Sequence, residues 1–132
     1  MSNDNAGGED GVKRYKFAKL KAEKLNPKLS RAMVVGQNEM LGYVILKKGC
    51  YVPAHKHVSE QITIITKGKL KFEIGGRKIL VGEGECLVIP PNVEHAALAL
   101  ENTVDIDCFS PLREDWLSGK DAYLRGAGRK KQ

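Results

Sequence analysis

Membrane-spanning length is the first thing this sequence lacks: the apolar run AALAL at residues 96–100 falls far short of the roughly 20 residues a spanning helix needs. The opening residues, MSNDNAGGEDG, have neither a basic n-region nor an apolar h-region, so no cleaved secretory signal is expected there. Cysteine is sparse. The three residues Cys50, Cys86 and Cys108 are an odd number, far apart, with no CxxC spacing, and each sits in apolar or strand-like surroundings. They are expected as buried free thiols in a reducing compartment, which makes a cytoplasmic protein the default. RNP, zinc-finger and helix-turn-helix patterns are absent, and so are internal repeats and low-complexity stretches.

The 132 residues that remain fit one domain, large enough to bury a core without disulfides or a structural metal. With 42% hydrophobic and 29% charged residues the composition is that of a globular protein. The formal charge of +6 sits at the ends: residues 1–28 carry seven basic and four acidic side chains, and residues 125–132 carry four basic ones. The middle of the chain is close to neutral, so nucleic acid is not expected as a partner. Residues 1–12 read as a disordered segment, 13–119 as a single domain and 120–132 as a basic tail.

From Lys13 the pattern is one of short pieces. VKRYKFA, RAMVVG, MLGYVILKKG, QITIITKG, KLKFEIGG, RKILVGEG, ECLVIPP, HAALALE and TVDIDCFSP are rich in Ile, Val, Thr, Tyr and Phe, with Gly, Pro or Asn between most of them. Gly75-Gly76 suits a two-residue hairpin turn, and Lys67-Gly68 a second hairpin. Only PLREDWLSGKDAYLR looks helical. Ser110 or Pro111 would open that helix, with Glu114 and Asp115 at the positive end of its dipole. Many short strands and one terminal helix predict an all-β sandwich or barrel.

Two of the three histidines fall in HKHVSEQIT, residues 55–63. On an extended chain His55, His57, Ser59, Gln61 and Thr63 share a face, which favours Gln61 over Glu60 as a third converging group. A bulge between Val58 and Glu60 would reverse that choice. The third histidine, His95, follows the turn Pro90-Pro91-Asn92 and opens a new strand. If the two strands are neighbours, three imidazoles and an amide oxygen meet, a donor set suited to one divalent transition metal. Zn, Fe, Ni, Cu and Mn are all open. An amide in place of a carboxylate leaves the metal's charge uncompensated and favours an anionic ligand.

The spacing Gly49-(x)5-His55-x-His57-(x)3-Gln61-(x)6-Gly68, followed by Gly84-(x)5-Pro90-x-Asn92-(x)2-His95, resembles the two motifs of the cupin superfamily. The departures are Gln61 for the usual Glu, Asn92 for Gly and Ala99 for Asn. Asn tolerates the left-handed turn that the Gly position requires. The resemblance implies a cupin jelly-roll β-barrel with a short C-terminal helix. With FSPLREDWL at residues 109–117, the chain looks like the small single-domain cupins of pectin and alginate degradation, from about Val34 to Leu117. In that group a His/His/Gln/His metal site is normal and the activity is conversion of a 4,5-unsaturated monouronate to its linear keto form.

By position the resemblance places the catalytic and substrate-binding residues on Asp107, Arg113 and Phe109. Asp107 would act as acid/base, Arg113 would clamp a carboxylate, and Phe109 would wall the sugar ring. Alternation leaves the orientation of this strand open. Asp105, Asp107 and Phe109 oppose Val104, Ile106 and Cys108, and an inward Asp107 turns the apolar set outward, where a second subunit would cover it. Arg113 has an alternative use, pairing with Glu114, Asp115 or Asp121, and Trp116 reads as a core or interface anchor. A small anionic substrate and a homodimer are therefore the expected partners. A redox, dioxygenase-like metal cupin and a non-catalytic small-molecule binder stand as alternatives.

Overall fold

Alternation of apolar and polar residues builds two sheets. A computed structural model of the chain describes residues 10–126. Its strands are β1 (Glu23–Asn26), β2 (Leu29–Val35), β3 (Met40–Leu46), β4 (Tyr51–His55), β5 (Glu60–Lys67), β6 (Lys69–Ile74), β7 (Arg77–Gly82), β8 (Cys86–Ile89), β9 (His95–Ala99) and β10 (Thr103–Ser110), followed by helices α1 (Glu114–Ser118) and α2 (Ala122–Arg125). The larger sheet runs β1-β2-β3-β10-β5-β8 and the smaller β4-β9-β6-β7. Every pairing is antiparallel. This is the expected jelly-roll barrel.

Period-2 patterning decides what faces inward. On β5, Gln61, Thr63 and Ile65 are buried, and on β10, Thr103, Asp105, Asp107 and Phe109. The core joins Leu29, Met40, Leu46, Ile65, Leu70, Phe72, Val81, Ile89, Phe109 and Trp116. Each such side chain contributes about 1.5–3 kcal/mol by leaving water. The strand orientation left open by the sequence is thus resolved with Asp107 inside. Ile62, Ile64, Ile45 and Val88 remain exposed on the outer face of the larger sheet.

The turns follow their glycines in one case and not in the other. Gly75 and Gly76, with φ of 58° and 79°, close the β6–β7 hairpin across Ile74 and Arg77. Gly68 is no hairpin turn, because β5 and β6 lie in different sheets. It marks the corner where the chain changes sheet, with φ of 93° and the Asn102 carbonyl oxygen in the space a β-carbon would need.

Four further expectations are corrected. VKRYKFA forms no strand; the chain there is irregular up to a 3-10 turn at Phe17–Lys19, and Phe17 stacks on Tyr43 at 4.9 Å on the outer face of β3. The terminal helix starts at Glu114 rather than Ser110, and Gly119 in the left-handed conformation divides it from α2. Cys50 is buried, but Cys86 is exposed and Cys108 half-buried; all three are free. Asp121 and Leu124, which the sequence reading put in the tail, are buried against the barrel. Of the segment 1–12 expected to be disordered, residues 1–9 lie outside the described residues, as do the basic residues of 127–132.

Candidate metal and ligand site

HKHVSEQIT is not one strand. His55 ends β4 in the smaller sheet, residues 56–59 form a bend, and Gln61 belongs to β5 in the larger sheet. Although the strand is interrupted, Gln61 faces inward and Glu60 is exposed, as alternation along a continuous strand would have them. His55 and His95 are direct register partners on β4 and β9. The ligand atoms of His55, His57 and His95 lie within 4.8 Å of one another.

Each imidazole is held the same way. Nδ1 donates to a backbone carbonyl two residues away: His55 to Pro53 at 2.8 Å, His57 to Ser59 at 2.9 Å, and His95 to Val93 at 2.8 Å. A proton fixed on Nδ1 leaves each Nε2 as a bare lone pair. Nε2 of His95 is buried without a partner. Gln61 Nε2 donates to Thr63 Oγ1 at 2.8 Å, which turns the amide oxygen to His57 Nε2 at 3.1 Å. Two acceptors then face each other, an unfavourable pairing that a cation between them would reverse. The donor set and its geometry therefore fit a divalent metal.

Electrostatics agrees. Burial, then the neighbouring His95, pushes His55 down to about 3. Burial and the Arg113 charge push His57 down to about 4, and His95 is lowered chiefly by burial. All three are neutral at neutral pH, as metal ligands must be.

Behind the histidines lies a cavity of about 60 Å³, lined by His55, Gln61, His95, Asp107, Phe109 and Arg113 among others. Asp107 accepts a hydrogen bond from Thr63 Oγ1 at 2.7 Å. Burial raises both Asp107 and its neighbour Asp105, with Asp105 held well above the ordinary carboxylate range. Phe109 meets His57 edge-on at 5.6 Å. Arg113 is buried, but its Nε and Nη2 are engaged by Asp115 at 2.9 and 2.8 Å, and Nη2 also donates to Tyr123 at 2.6 Å.

The sequence reading missed Arg31, Asp105 and Tyr123 as cavity residues. Tyr123, on α2, lies 4.6 Å from His55 with its ring tilted by 33°. Arg31 stands two residues from inward-facing Leu29 on β2, and that parity was the available signal. Nothing local in the sequence betrays Tyr123, since its position depends on α2 folding back over the barrel.

Residues 42–107 match the family described as Cupin domain. The fold is similar to an RmlC-like cupin from Shewanella frigidimarina, with 25% identity and a TM-score of 0.72 over 77% of this chain and 93% of that one. It is equally similar to KdgF from Halomonas sp., with 28% identity and a TM-score of 0.72 over 77% and 97%. Oxalate decarboxylase of Bacillus subtilis, described as having Mn(II) centres, shares the fold at 21% identity and a TM-score of 0.66, over 79% of this chain and 33% of that one. No curated protein matches significantly.

Proposed function

The chain belongs to the cupin family, and on that premise we propose that it is a metal-dependent enzyme that converts a 4,5-unsaturated monouronate to its linear keto acid. The observation that carries the reading is the continuous link from metal donors to a buried acid: His57 faces the Gln61 amide oxygen, Gln61 donates to Thr63, and Thr63 donates to Asp107. The similarity to KdgF and the FSPLREDWL segment support it further.

His55, His57, Gln61 and His95 would hold the metal, which when bound supplies Lewis-acid polarisation of a ligand oxygen. The reaction is an isomerisation. Ring opening breaks the bond between C1 and the ring oxygen and releases the C1 hydroxyl proton; ketonisation places a proton on C4. Asp107 moves that proton, and burial raises its carboxyl above the ordinary carboxylate value. Phe109 is the apolar wall of the ring. With two of its nitrogens turned to Asp115, Arg113 has Nη1 left for the ligand, so it binds by one charge-assisted hydrogen bond.

The chain acts as a homodimer through the exposed Ile45, Ile62, Ile64 and Val88 face. Its three unpaired cysteines suit the cytoplasm. No helix among the described residues is long and apolar enough to cross a membrane. The test pairs elemental analysis with the ultraviolet absorbance of a 4,5-unsaturated galacturonate. About one metal per chain with accelerated absorbance loss is expected. Bound metal without acceleration refutes the reaction and favours a redox or binding role, which oxygen consumption separates.

A further inference from the structure

The cavity contains a second arginine. Arg31 on β2 is 2% exposed and lines the cavity together with His55, Gln61 and His95. Its guanidinium lies over the Trp116 ring at 4.4 Å. Nη1 donates to the buried Asp121 at 2.7 Å, and Asp121 is in turn held by Arg125 at 2.6 Å. Nε and Nη2 are buried with no hydrogen-bond partner. The nearest carboxylate to that edge is Glu23, an exposed residue whose oxygen lies 3.6 Å from Nη2, too far to bond, and whose other oxygen accepts from Arg125.

Nε and Nη2 form the parallel edge with which a guanidinium grips a carboxylate. Arg113 uses that same pair of nitrogens on Asp115. Arg31 has the edge with no carboxylate hydrogen-bonded to it, only the exposed Glu23 at 3.6 Å from Nη2. Anchoring α2 to the barrel needs only Nη1, and leaving charged donors buried and unpaired is costly. The same cavity leaves Asp105 Oδ1 without a partner, an acceptor for a ligand hydroxyl.

We propose that Arg31 is a specificity-determining residue whose Nε–Nη2 edge receives a carboxylate of the ligand, while an oxygen at the ligand's other end faces the histidine cluster. The Phe109 and Trp116 rings, 4.9 Å apart, stand between the two ends, Phe109 against His57 and Trp116 beneath Arg31. The ligand is thus a small hydroxy acid. This assignment rests on the uronate reading and deepens it, because it moves carboxylate recognition from Arg113 to Arg31.

The test is calorimetric titration of the full-length, nickel-loaded protein with D-galacturonate and with D-galactose, which lacks the carboxylate. Wild type should bind galacturonate at least about tenfold more tightly, and Arg31→Lys, which keeps the charge but loses the paired edge, should reduce the preference to about threefold or less. No preference in wild type, or an undiminished one in Arg31→Lys, overturns the assignment. If Arg31→Lys does not fold, the arginine Nε–H resonances of wild type decide: Arg31 should shift with galacturonate and not with galactose, and an unshifted Arg31 overturns the assignment. Turnover of the unsaturated uronate is measured separately. An Arg31-dependent preference without turnover refutes the ketonisation and upholds the subsite; turnover with an Arg31-independent preference does the reverse.

Discussion

Trp116 occupies the space that a side chain at Gly42 would need: a β-carbon there would fall 2.5 Å from the indole Cζ3. Gly42 sits opposite Asp107 in the β3–β10 register, so this missing side chain lets α1 press its tryptophan onto the sheet beside the site. Gly42→Ala is expected to cost about 1–3 kcal/mol of stability. It should also weaken uronate binding, since the plate under Arg31 must shift. Thermal melting and ligand titration of the one variant check both.

Gln61→Ala removes one proposed metal donor and the group that hydrogen-bonds Thr63. Metal affinity should fall by about ten- to a hundredfold and turnover with it, as elemental analysis after dialysis would show. Gln61→Glu should keep the metal, but it places a carboxylate close to Asp107 Oδ1, which now lies 3.5 Å from the Gln61 nitrogen. Its turnover should fall while its metal content does not.

Asp107→Asn should leave metal content unchanged and reduce kcat by about 10²–10⁴ if this carboxyl carries the proton. An Asn variant with wild-type kcat would remove Asp107 from the chemistry.

Acid should release the metal late. His55 and His57 in the metal-free protein titrate at about 3 and about 4, so protons do not compete for them at mildly acidic pH. Metal retention should therefore persist to lower pH than in an exposed triad. An exposed triad would begin losing metal near 6.5.

Asp105 gives the opposite slope in stability. Its carboxyl is raised by burial and by the charge of Asp107, so between the unfolded and folded values the folded state binds more protons. The contribution is present below the unfolded carboxylate value and is lost as pH rises through the folded one. Asp105→Asn should therefore raise the melting temperature more at pH 8 than at pH 4.

Much of the fold was legible because a strand's side-chain period is 2: β3, β5, β6, β7, β9 and β10 all announce themselves by alternation or by β-branched runs. The cluster of His55, His57 and His95 was legible as well, because their spacing stands out in a chain with three histidines. The break at residues 56–59 was not, since a strand end, a bend and a second strand read like one polar-alternating strand. Arg31 was hidden for a different reason. A cation inside a barrel is unfavourable until Asp121 and Trp116 arrive from the C-terminal segment, and no local window contains all three. Tyr123 was hidden likewise, in a segment whose composition reads as solvated tail.

The bend between His55 and Gln61 carries the chain from the smaller sheet to the larger, so His55 and His95 sit on one leaf of the sandwich and Gln61, their proposed fellow ligand, on the other. A single bound ion would therefore act as a rivet through the two leaves at the mouth of the barrel. It would limit how far they can part, and with them the size of molecule that can slip in between.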